Sequence, residues 1–154
     1  MIQRKQTLFL LAGLVCLAFL FAPSVSLATI EGTVLEERVS GSAMLEDGVF
    51  NITDHIILML LALLGILFSF ITILYFKNRS VQMRLCRFII IATILMILLG
   101  GWFFYQNLLL IPVGTEVHIE YGILLPPAVI VFIIFAMRFI NRDEKLVRSS
   151  DRLR

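Results

Sequence analysis

Charge is scarce in this sequence. Asp, Glu, Lys and Arg make up 16% of the 154 residues, against about 25% in a soluble domain. No ionisable residue stands in the middle of any of the four long apolar runs, Thr7 to Phe21, His55 to Phe76, Phe88 to Tyr105 and Gly122 to Ile140. Proton relays, charge-driven carriers and voltage sensors therefore have no residues to work with. Cysteine is nearly absent too. Cys16 and Cys86 can form neither a CxxC motif nor a metal cluster. Cys16 lies roughly 13 Å into its helix by rise alone, while Cys86 sits at the mouth of another, so no bridge between them is expected. No P-loop, HExxH, GxSxG or cofactor fingerprint occurs.

Apolar residues dominate: they form 60% of the chain, and the mean hydropathy is +0.99. A membrane helix needs about 20 apolar residues. The composition therefore predicts an all-α membrane protein, one small bundle with no separate soluble domain. The expected spans are about 7–26, 55–76, 88–108 and 122–140, with outer loops at 27–54 and 109–121. A cytoplasmic loop at 77–87 and a cytoplasmic tail at 141–154 complete the arrangement.

Orientation follows from the bases. With both termini inside, twelve of the thirteen Lys and Arg residues are cytoplasmic and only Arg38 is outside. Eight of the eleven acids fall outside. Lys and Arg are retained on the cytoplasmic side, where they also meet anionic lipid headgroups. Nucleic acid is a poor alternative, because acids interleave the basic tail and no reader motif is present.

The first run has two readings. Arg4 and Lys5, an apolar stretch and SVSLAT resemble a secretory signal cleaved after Ala28; the reading preferred is a retained helix ended near Pro23. In the first outer loop, TVLEERV suggests a strand. Thr115 to Tyr121 alternates with period two and suggests another, so the two could pair as a small extracytoplasmic β cap. Asn51-Ile52-Thr53 matches a glycosylation sequon, for which chance is the better explanation. Pro126-Pro127 fits the first turn of the last helix, where no intrahelical N–H bond is lost.

Candidate sites are few. Ala62, Gly65, Ser69 and Thr72 recur every three or four residues and put small side chains on one helix face, suited to close packing. Trp102 to Tyr105 reads as an interfacial aromatic belt, with Gln106 and Asn107 meeting water beyond it. Glu116, His118 and Glu120 share one strand face and, with Asp54 and His55, could hold a divalent metal; the wet face of a surface strand is the plainer reading. In the tail, Arg142, Lys145, Arg148, Arg152 and Arg154 exceed what anchoring needs. Phe139, Leu146 and Leu153 add a thin apolar edge, and this surface is a candidate contact for lipid or a partner.

The two ends also carry a resemblance. MIQR-x-QT at the start, and YGILLPP with DEKLVRS-x-DRLR at the end, resemble an uncharacterised family of small four-helix bacterial integral membrane proteins, a domain of unknown function. The resemblance implies a retained first helix, four spans and the bacterial inner membrane. It brings no reaction, cofactor or site residue. The expected role is a non-enzymatic membrane component acting through protein partners. A small transporter or channel subunit is the alternative, and an outer metal or enzymatic site at Glu116, His118 and Glu120 comes third.

Overall fold

A computed structural model of the chain describes residues 3–31, 48–75, 78–109 and 116–151, with side chains described over 6–29, 48–75, 78–109 and 116–145. Its helices are α1 (Gln3–Phe19), α2 (Ile56–Leu74), α3 (Arg79–Leu108) and α4 (Leu125–Asp151). Three short strands, β1 (Ala28–Glu31), β2 (Val49–Phe50) and β3 (Glu116–Ile119), form one antiparallel sheet in the order β2-β1-β3.

Each helix buries a stripe with alternating steps of three and four. The stripes are Gln6, Leu10, Gly13, Leu17 and Leu20 beginning in α1; Leu58, Ala62, Gly65, Ser69 and Thr72 in α2; Gln82, Cys86, Ile89, Thr93 and Met96 in α3; and Val129, Ile133, Ala136, Ile140 and Asp143 in α4. A mean step of 3.5 residues is the repeat of left-handed bundles. α1 packs chiefly on α4 and α2, and α3 on α2 and α4, so the four close a ring. β1 follows α1, β2 precedes α2 and β3 lies between α3 and α4. One sheet at one end of the bundle therefore requires the helices to alternate up and down.

The opposite faces remain apolar and exposed, including Leu60, Phe70, Phe88, Ile91, Leu98 and Val131. Ile56–Leu74, Arg79–Leu108 and the stretch Tyr121–Lys145 are long and apolar enough to cross a membrane. α1 is shorter, with Gln6–Phe19 as its apolar part. Its 17 residues rise roughly 26 Å, and it stops before the expected position near 26. The backbone leaves the helix in turns over 20–24, because Pro23 disfavours helical geometry in the residue before it.

Two further boundaries differ from expectation. The loop placed at 77–87 is mostly helix: α3 begins at Arg79, so Arg84 and Arg87 stand on its first turns. The 30 residues of α3 extend about 45 Å, well beyond a hydrocarbon core of about 30 Å. α4 runs through the expected tail to Asp151 without a break. The strand of the first outer loop is Ala28–Glu31, nearer the helix than TVLEERV, which lies outside the described residues. Ala28, 3% exposed, fixes that register by entering the core opposite Phe50 and Ile119.

Candidate functional site

At the sheet end, the Glu116, His118 and Glu120 arrangement does not converge. Glu116 and His118 project into solvent with 3.8 Å between His118 Nε2 and Glu116 Oε2. Glu120 lies past the strand and accepts a hydrogen bond from the Thr29 hydroxyl at 3.3 Å. His55 is turned away to stack on Phe103, ring centroids 4.0 Å apart and nearly parallel. The Asp54 carboxylate accepts the Asn51 backbone N–H at 2.6 Å, closing the turn into α2. Among the described residues no group of three or more His, Cys, Asp or Glu is placed to hold a metal. The three do not gather because Thr29 holds the Glu120 carboxylate, while Glu116 and His118 stay in solvent.

The aromatic run divides by helix geometry. Trp102 and Tyr105 are exposed. Phe103 and Phe104 are half-buried and pack inward, against His55 and Phe50. Asn107, expected to meet water beside Gln106, is instead buried, while Gln106 is exposed. Asn107 lies eleven residues beyond Met96, in steps of four, three and four, and so continues the inward stripe of α3.

Ala62, Gly65, Ser69 and Thr72 are all buried. A β-carbon at Gly65 would come within 3.0 Å of a Leu17 methyl, so glycine there admits α1. The Thr72 hydroxyl bonds the Phe68 carbonyl at 2.6 Å and Thr93 the Ile89 carbonyl at 2.8 Å, the local pattern by which buried hydroxyls are satisfied within their own helix. The Ser69 hydroxyl, buried beside them, has no hydrogen-bond partner among the described residues.

The unanticipated feature lies at the end away from the sheet. Gln82 donates to the Thr72 carbonyl at 3.0 Å, one of the last four carbonyls of α2, which have no intrahelical donor. Gln6 donates to the Asp143 carboxyl and to the Phe139 carbonyl, the latter at 3.3 Å. Gln6 is 7% exposed and Asp143 5%, and Asp143 Oδ1 accepts no hydrogen bond among the described residues. Two amides thus tie α3 to α2 and α1 to α4 across the bundle. The pair Gln6 and Asp143 joins the two terminal stretches, MIQR-x-QT and DEKLVRS-x-DRLR, that carry the family resemblance. Asp143 was detectable in the sequence: it continues the stripe Val129, Ile133, Ala136, Ile140 by one further step of three.

Of the tail residues, Arg142 and Lys145 are exposed. Phe139 is not a free edge, since its ring stacks on Phe9 of α1 at 5.4 Å. Leu146 and Arg148 belong to α4 with side chains outside the described set, and Arg152, Leu153 and Arg154 lie outside the described residues.

A family model described as "Domain of unknown function (DUF4293)" matches residues 2–153. No curated protein and no solved structure matches the chain.

Proposed function

We propose that this chain, which belongs to the DUF4293 family, is a four-span protein of the bacterial inner membrane, with both termini cytoplasmic, that works through protein partners and not as an enzyme. The observation that carries the reading is the unbroken helix α4. Its 27 residues measure about 40 Å, of which the apolar part to Ile140 takes roughly 24 Å. Beyond Ile140, Asp143 still packs on Gln6 of α1 while Arg142 and Lys145 are exposed, and the helix backbone continues to Asp151 on the basic side. A stiff helix presents side chains at fixed spacing, which a partner can read and which a lipid surface does not require.

Retention of α1 belongs to the same reading. Leu10, Leu17, Leu20 and Ala28 are core residues, so cleavage after Ala28 would remove one wall of the bundle and the first residue of β1. The bundle's hydroxyls and amides are mostly spent on its own backbone, which favours a partner-binding component over a solute pathway.

The test compares two variants by crosslinking in native membranes and mass spectrometry of co-purified proteins. Replacing Leu146 and Leu153 by Ser keeps every charge; replacing Arg148, Arg152 and Arg154 by Gln keeps the apolar edge. A partner site loses its crosslinked protein in the Ser variant. Wild-type behaviour there, with a change only in the Gln variant, would make the tail an electrostatic lipid contact.

A further inference from the structure

At the sheet end of the bundle, α2, α3, the first turn of α4 and the cap enclose a cavity of about 230 Å³. Phe50 and Ile52 come from the cap side, Leu58 from α2, Met96 and Phe104 from α3, and Pro126 from α4. Apart from Gly100 and Gly101, every residue lining it has an apolar side chain.

The cavity exists because α3 carries Gly100-Gly101 against it. Glycine inside a helix is unfavourable relative to alanine, and elsewhere in this fold it admits a neighbour: Gly13 faces Ile133 and Gly65 faces Leu17. The pair in α3 admits nothing of the kind. A β-carbon on Gly101 would meet no atom within 4 Å, and one on Gly100 only the Leu58 methyls at 4.0 Å. The omitted side chains leave space that no described residue fills.

Water is a poor occupant, since a buried water needs two to four polar partners. A dry apolar cavity of about 150 Å³ takes up benzene, so the present volume accommodates a longer hydrocarbon segment. Ile97, Ile119 and Ile123 line the cavity and are also 38%, 67% and 47% exposed. Its mouth is therefore continuous with the apolar outer surface of the helices. We propose that this cavity binds one acyl chain of a membrane phospholipid, entering from the leaflet on the sheet side. The proposal rests on the membrane reading above, because that reading makes hydrocarbon the surrounding solvent.

The test uses the full chain purified in mild detergent, with bound phospholipid counted by native mass spectrometry. Wild type retains one phospholipid through delipidating washes. Gly101→Leu, which fills the cavity, and Ile97→Trp, which blocks its mouth independently, lower that occupancy at least tenfold. Leu98→Trp, at a position 65% exposed on the outer surface, leaves it unchanged. Absence of retained lipid in wild type, or equal loss in the Leu98 control, overturns the proposal. The membrane reading is checked separately in vesicles of phosphatidylcholine brominated along its acyl chains, which quench Trp102, the single tryptophan, if α3 is in the bilayer. Quenching without retained lipid sinks the cavity proposal alone; no quenching sinks both.

Discussion

The Gln6 and Asp143 pair should behave as a single energetic unit. Both side chains are more than nine-tenths buried, and the Gln6 amide is the sole described side-chain donor to the Asp143 carboxyl. Gln6→Leu keeps the volume and removes the donor. A hydrogen bond to a charged group contributes about 1.5–3 kcal/mol, and a buried polar group left unpaired costs a similar amount. The single change should therefore cost about 2 kcal/mol, a fall in Tm of roughly 4–8 °C for a chain of this size. Asp143→Asn retains an acceptor and should cost about 1 kcal/mol, the scale of a neutral bond. In Gln6→Leu/Asp143→Leu both partners become apolar, so the double variant should recover most of the loss, with a coupling energy of about 2 kcal/mol. Reversible unfolding in mixed micelles by SDS titration reads all of these. A Gln6→Leu variant within 0.5 kcal/mol of wild type, or a double variant whose cost is the sum of the two single Leu changes, would refute the clamp.

Two other outcomes follow from the same packing. A β-carbon on Gly122 would sit 2.3 Å from the Ser26 carbonyl oxygen, a backbone atom that cannot rotate aside, so Gly122→Ala should cost about 1–3 kcal/mol; an unchanged unfolding midpoint would contradict that close approach. Intact-mass measurement of the membrane-extracted protein should show residues before Thr29 still attached, whereas a mature chain beginning at Thr29 would mean that α1 is a signal peptide.

Much of the helical framework is legible in the sequence because hydrophobic length and small-residue spacing are local signals. Ala62, Gly65, Ser69 and Thr72 advertise a packing face through their spacing alone, and Pro126-Pro127 mark the first turn of α4. Helix ends are less legible where polar residues continue a helix. The bases from Arg79 to Arg87 read as loop by composition, yet they continue the stripe on which Gln82 and Cys86 face inward. The strand register was hidden for a different reason: Ala28 pairs with Ile119 across some ninety residues, and no local pattern encodes that choice over TVLEERV. Asn107 reads as water-facing by polarity, yet its helical position turns it inward, as it does the buried Asp143. The Glu116, His118 and Glu120 pattern is visible, but the pairing of Thr29 with Glu120 disperses it.

The proposed arrangement requires four crossings with both ends on the basic side. Cys16 and Cys86 are free, so a background with both replaced by Ala supports single-cysteine labelling with a membrane-impermeant maleimide. Ser42→Cys should label in intact spheroplasts, and Ser150→Cys only after permeabilisation. Labelling of Ser150→Cys in intact spheroplasts, or of Ser42→Cys only after lysis, would contradict the proposed arrangement.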